Sequence, residues 1–213
     1  MSVAAKICGL STPEAVVAAI AGGARFVGFV FFPPSPRNLS PAQAGPLMRG
    51  VPAGVTRVGV FVDPNDGLLG RVLAAAPLDL IQLHGEETPD RVAQIKQRFG
   101  KPAMKAIKIA DESDLAVASR YYGVADRLMF DARPPKDATR PGGNALAFDW
   151  ELLRAHKWPL PWMLSGGLTA ANVAEAVRVS RATAVDVSSG VENAPGIKDL
   201  AKIRAFLAVV GTL

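Results

Sequence analysis

With 213 residues, 49% of them hydrophobic and 20% charged, the chain is long enough to bury a large core and too apolar for a disordered segment. One cysteine and two histidines exclude an internal disulfide and a zinc cluster, and no apolar run reaches the roughly 18 residues that a membrane span needs. The net charge of +5 would suit nucleic acid, but Lys and Arg are scattered singly with little aromatic interleaving, so a small polyanionic substrate suits the charge equally well.

Taken in order, eight short apolar runs are each followed by a loop and a helical pattern. Val3–Ile7 leads to Pro13–Ala21, Phe26–Phe31 to Pro41–Arg49, and Thr56–Val62 to Asn65–Ala75. Asp79–Leu83 leads to Pro89–Phe99, Ala103–Ile109 to Asp111–Tyr121, and Arg127–Phe130, after a long loop, to Trp150–Ala155. Pro161–Leu164 leads to Thr169–Val179, and Ala184–Val187 to a last helix over Asp199–Val210. Ser11-Thr12-Pro13 and Ser40-Pro41 place a capping hydroxyl before a first-turn proline. Strict alternation of this kind predicts a parallel sheet covered by helices. Eight units predict a single-domain (β/α)8 barrel over residues 1–213. A doubly wound sheet would want Gly-x-Gly-x-x-Gly after the first strand, and Cys8-Gly9-Leu10-Ser11 is not that.

In a barrel the chemistry stands at the C-terminal strand ends. There the sequence sets Lys6 and Cys8, the Pro33–Asn38 loop, Asp63, Gln82 and His84, Lys108, Asp131, and two Gly/Ser loops. The loops, Ser165-Gly166-Gly167 and Ser188-Ser189-Gly190, follow strands seven and eight, where backbone N–H groups, hydroxyls and a helix dipole suit a phosphate. Asp186, just ahead of the second loop, is a further pocket candidate.

Lys6 lies two residues before Cys8, on the same strand face, and a cation there favours the thiolate. Such a thiolate serves as nucleophile or general base, and no histidine adjoins it in sequence, which leans toward base. Asp131 ends the apolar run Leu128-Met129-Phe130, surroundings that raise a carboxyl pKa and suit a general acid. Asp63, followed by Pro64-Asn65, reads as turn chemistry. Arg37 sits in Phe32-Pro33-Pro34-Ser35-Pro36-Arg37, where three prolines hold the guanidinium for two-point contact with a substrate carboxylate. His84 is by default a hydrogen-bonded structural residue, with pocket lining as the alternative.

Seven segments in order along nearly the whole chain resemble the phosphoribosylanthranilate isomerase family. They are Lys6-Ile7-Cys8-Gly9, Phe32–Arg37, Gln82-Leu83-His84-Gly85, Phe130-Asp131, Phe148-Asp149-Trp150, Leu164–Leu168, and Asp186–Glu192 with Pro195–Asp199. The resemblance implies an Amadori rearrangement of N-(5′-phosphoribosyl)anthranilate, with no metal and no redox cofactor. By that analogy Asp131 protonates the ring oxygen, Cys8 removes the C2′ proton, Arg37 holds the anthranilate carboxylate, and Gly166, Gly167, Ser188, Ser189 and Gly190 cradle the phosphate. The expected partner is the small-molecule substrate alone, without nucleic acid or membrane, in a cytoplasmic monomer or homodimer. One departure stands out: Gly142-Gly143-Asn144-Ala145 replaces the family's Gly-Gly-Ser/Thr-Gly, and alanine takes positive φ less cheaply than glycine, which bears on closure of that loop. The other readings are a related sugar-phosphate barrel, which would want metal ligands or a catalytic lysine–glutamate pair, and a polyanion-binding protein that does no chemistry.

Overall fold

A computed structural model describes residues 2–133 and 147–213. The Asn144-Ala145 departure lies outside the described residues.

Eight parallel strands close into a barrel in chain order. They are β1 (Ala4–Cys8), β2 (Phe26–Phe31), β3 (Thr56–Phe61), β4 (Leu80–Leu83), β5 (Ala103–Ile109), β6 (Arg127–Ala132), β7 (Trp162–Leu164) and β8 (Ala184–Val187). Closure is direct: β8 pairs with β1, setting Lys6 opposite Asp186. Helices α1 (Pro13–Ala21), α2 (Pro41–Arg49), α3 (Asp66–Ala75), α4 (Pro89–Phe99), α5 (Glu151–Arg154), α6 (Val173–Ser180) and α7 (Leu200–Val210) surround it. No helix among the described residues is long and apolar enough to cross a membrane.

The strands read as near-continuous apolar runs because both faces are buried. One face, with Ile7, Val27, Phe29, Ile81 and Ile107, packs under the helices. The other fills the barrel with Phe26, Val58, Leu80, Met104, Met129 and Met163. Above this apolar plug the inward positions become Lys6, Cys8, Gln82, His84 and Asp131, all buried, so a polar site rests on an apolar floor.

Cap chemistry sets the helix starts. Thr12 accepts from Ala15 N–H ahead of Pro13, and Ser40 forms a capping box with Gln43 ahead of Pro41. The predicted helix after β5 is a 3₁₀ segment, Glu112–Tyr121. Ser113, Asp114 and Ser119 are weak α-formers, and the Asp111 and Asp114 carboxylates draw in the first turn through Ser113 N–H and Ala110 N–H. The predicted helix at Thr169 begins only at Val173, because Asn172 turns back to accept from Thr169 N–H and to donate to the Gly167 carbonyl. An unforeseen antiparallel hairpin, β9 (Glu192–Ala194) and β10 (Ile197–Lys198), follows β8.

The β4–α4 loop is held by an ion pair that the sequence did not flag. Lys105, on the outer face of β5, donates to Glu87 Oε2 at 2.7 Å and to the Gly85 carbonyl at 2.6 Å. Glu87 Oε1 accepts from Asp63 N–H at 2.8 Å, and Tyr121 O–H donates to the Glu87 carbonyl at 2.8 Å. Removing one partner of so buried a pair leaves a bare charge, which costs about 3–5 kcal/mol. Lys105→Met is therefore expected to lower unfolding free energy by about that amount, read from urea midpoints at unchanged m. A midpoint equal to wild type would show that the pair is not needed.

Candidate active site

Cys8 ends β1 with its side chain inside the barrel, 7% exposed. The Lys6 ammonium, fully buried one layer below, donates to Asp186 Oδ1 at 2.8 Å, and Ser165 O–H donates to Asp186 Oδ2 at 3.2 Å. Gly28 on β2 makes room for this group: a Cβ there would stand 3.1 Å from both Cys8 Sγ and Lys6 Nζ. Burial pushes the Cys8 thiol above its ordinary value, and the Lys6 cation opposes that shift without reversing it. The expectation that Lys6 yields a low-pKa thiolate is thus corrected. Its effect has the expected sign, but Asp186 already spends much of its charge and the site is dry. Burial pulls the Lys6 ammonium down, while Asp186 and Cys8 outweigh it and leave Lys6 raised.

Asp131, on β6, points into the same mouth and is 3% exposed. Its Oδ2 lies 2.9 Å from His84 Nε2, and His84 Nδ1 lies 2.9 Å from Gln82 Nε2. Asp131 stands in register with Lys108, which pairs with the exposed carboxylate of Glu86. Asp63 takes positive φ and its carboxylate accepts from Glu86 N–H, so it shapes the loop and not the chemistry.

The two Gly/Ser loops fill the arc of rim between β6 and β1. Gly166 and Gly167 both have positive φ, at 94° and 64°, where side-chain-bearing residues are strained. A Cβ on Gly166 would come 2.7 Å from the Ala132 backbone nitrogen, next to Asp131. A Cβ on Gly190 would collide with the Leu168 carbonyl, so the loops touch backbone to backbone. Gly166, Gly167, Ser188, Ser189 and Gly190 are all half-buried, as a ligand rim should be. The helix dipole expected at Gly167 is not there, since α6 starts at Val173.

Arg37 is 4% exposed and already paired. Its Nε and Nη2 both donate to the Glu192 carboxylate at 2.7 Å, and its stem crosses Gly9, whose Cβ would lie 2.5 Å from Arg37 Cδ and 3.3 Å from Ser188 Oγ. Lys198 Nζ also reaches Glu192 Oε1 at 2.7 Å and the Ser188 carbonyl at 2.9 Å. Burial opposes the Glu192 carboxylate, but Arg37 and Lys198 hold it below its ordinary value, while burial lowers the Lys198 ammonium. Two cations share one carboxylate, leaving one positive charge of surplus in a buried cluster beside Ser188 and the Cys8 carbonyl. Such a cluster is short of one anion.

The sequence reading gave Glu192 and Lys198 no role beside Arg37, although the Pro195-Gly196 turn signal marks the hairpin that carries them. The reading of Arg37 is corrected in one respect. Its Nε edge serves Glu192, so the end edge, one N–H each from Nη1 and Nη2, is the one two-point edge left for a ligand carboxylate.

A model of the family described as "N-(5′-phosphoribosyl)anthranilate (PRA) isomerase" matches residues 5–209. The chain is 59% identical over 207 residues to the N-(5′-phosphoribosyl)anthranilate isomerase of Paramagnetospirillum magneticum, covering 97% of this chain and 96% of that protein. It is 57% identical over 214 residues to the protein of that name from Rhodospirillum centenum, covering all of both. Among solved structures, the phosphoribosyl anthranilate isomerase of Thermotoga maritima superposes with a TM-score of 0.89 at 36% identity, over 99% of this chain and 100% of that one. A phosphoribosyl anthranilate isomerase in complex with reduced 1-(o-carboxyphenylamino)-1-deoxyribulose 5-phosphate superposes with a TM-score of 0.84 at 35% identity, over 99% of this chain and 100% of that one.

Proposed function

Because this chain belongs to the N-(5′-phosphoribosyl)anthranilate isomerase family and is an aldose–ketose isomerase of tryptophan biosynthesis, we propose that Cys8 is its general base and Asp131 its general acid. The Asp131 carboxyl gives its proton to the furanose ring oxygen as the C1′–O bond breaks, and the anilino nitrogen lone pair forms the C1′=N bond. Cys8, as thiolate, takes the C2′ proton. The C2′–H electrons form C1′=C2′, and the C=N pair returns to nitrogen, giving the enolamine. Loss of the enol O–H proton and protonation at C1′ give the 1-deoxyribulose ketone. Atoms balance throughout and the chemistry is proton transfer alone.

The observation that carries this reading is the shared mouth. A buried thiol at the end of β1 and a buried carboxyl at the end of β6 both face the barrel interior, and the only strands between them along that arc end in glycine-serine loops. Gly166, Gly167, Ser188, Ser189 and Gly190 hold the phosphate in this scheme. The end edge of Arg37, backed by the surplus charge of its cluster, takes the anthranilate carboxylate. Lys6 and Asp186 lie under the base as a neutral pair, which keeps Lys6 charged.

We further read residues 1–213 as one barrel domain acting on a free small molecule in the cytoplasm, as a monomer or homodimer. A solved structure at 35% identity is described as monomers generated from the dimeric phosphoribosylanthranilate isomerase of Thermotoga maritima, and that dimeric parent favours the homodimer.

The test is turnover of N-(5′-phosphoribosyl)anthranilate made in situ, followed by its fluorescence and by isolation of the ketose product; absence of conversion would overturn the reading. In the same assay Arg37→Ala is expected to lower kcat/KM by roughly 10–100-fold, mostly through KM, the worth of a charge-assisted pair. An unchanged kcat/KM would remove Arg37 from the carboxylate site.

A further inference from the structure

We propose that Gln82 and His84 are positioning residues that keep the acidic proton on the substrate-facing oxygen of Asp131: Gln82 fixes the tautomer of His84, and His84 occupies Oδ2. The proposal rests on the reading of Asp131 as the acid.

Gln82 is 1% exposed, inside an apolar barrel. Its Nε2 lies 2.9 Å from His84 Nδ1 and 3.3 Å from Met129 Sδ. The ring nitrogen and the thioether are both acceptors toward an amide, so the NH₂ group belongs on that side. The reversed amide would press its carbonyl oxygen against sulfur. Gln82 Oε1 is then left buried with no partner. An unpaired buried acceptor is destabilising, a cost that an apolar side chain at this position would avoid. Packing alone gives no reason for a glutamine here.

The tautomer follows from the amide. Nδ1 accepts from Gln82, so neutral His84 carries its hydrogen on Nε2, and that N–H donates to Asp131 Oδ2 at 2.9 Å. An oxygen already accepting a ring N–H is a poor place for the carboxyl proton, so in the acid form the proton sits on Oδ1. Oδ1 has no hydrogen bond to any described residue. After the proton has left, the same N–H steadies the carboxylate. Had Nδ1 carried the hydrogen, bare Nε2 would draw the Asp131 proton to itself and away from the ring oxygen. Lys105, Gly85 and Glu87 hold the loop that follows β4, so His84 is clamped from below by Gln82 and from behind by the ion pair.

The experiment uses the intact protein labelled with ¹⁵N-histidine. The chain has two histidines, and the exposed His156 is assigned by His156→Asn. Long-range ¹H–¹⁵N spectra, taken at a pH where the imidazole is neutral, are expected to show His84 with its proton on Nε2. A proton on Nδ1 would overturn the proposal. In the kinetic arm, Gln82→Met is expected to lower kcat about tenfold, a part of the full acid–base factor, with KM held. His84→Gln, whose amide can still donate to Oδ2, should retain more kcat than His84→Ala. If Asp131→Asn is inactive while Gln82→Met keeps wild-type kcat, the relay fails and the acid stands. If Asp131→Asn itself turns over normally, the acid reading fails first. The wild-type spectrum decides the tautomer even if a variant does not fold.

Discussion

Asp131→Asn is expected to lower kcat by about 10²–10⁴-fold with little change in stability, because a general acid contributes a factor of that size. Asparagine is the informative replacement. Its side-chain oxygen can still accept the His84 Nε2–H that Asp131 Oδ2 accepts at 2.9 Å, so the mouth keeps its shape and loses only the proton. The deficit should fall on ring opening. If the open-chain imine were supplied, the variant should still exchange its C2′ hydrogen with solvent. Equal kcat for variant and wild type would remove Asp131 from the chemistry.

Cys8→Ala is expected to be as severe, again about 10²–10⁴-fold in kcat, and to abolish C2′ exchange. The truncation leaves only a small void beside Gly28, so thermal unfolding should move by at most a few degrees. The wild-type pH profile carries a second signature. The base acts as the thiolate, and burial raises the Cys8 thiol above the ordinary thiol value. Lowering pH protonates it and activity falls; raising pH through neutrality and beyond recruits more thiolate. In the step that needs no acid, C2′ hydrogen exchange of the open-chain imine, the logarithm of the rate should therefore still be climbing at pH 8, with a slope approaching one. A plateau reached well below neutrality would mean that substrate binding lowers the thiol or that another group is the base.

The architecture was legible because a two-sided sheet leaves a simple trace: short apolar runs spaced by helical patterns. The placement of the candidate residues was legible for the same reason, since Cys8, Asp131 and the two glycine-serine loops each stand where an apolar run stops. What the sequence hid were pairings across long separations. Arg37 and Glu192 are 155 residues apart, and nothing local to Pro36-Arg37-Asn38 says that half of the guanidinium is already taken. Lys105 sits at an ordinary position of an alternating strand, and its burial depends on a glutamate in another loop. The direction of the Cys8 shift was misjudged because same-face neighbours can be read from spacing, whereas desolvation is a property of the finished interior. The hairpin after β8 did have a signal, Pro195-Gly196, but its strands, Glu192–Ala194 and Ile197–Lys198, are too short to show alternation.

The seam between β1 and β8 has a bearing on how the molecule is made. Lys6 finds its neutralising carboxylate 180 residues downstream, at Asp186. At ~5–20 residues per second, a nascent chain emerges with that lysine unmatched for roughly 10–40 s before the eighth strand arrives. An ammonium without a counter-ion resists entering oil-like surroundings, so the growing polypeptide should keep its first strand hydrated and its cylinder gaping until translation has passed the last quarter. A ribosome stalled short of that stretch would carry the thiol and the carboxyl in the same polypeptide and still make no product.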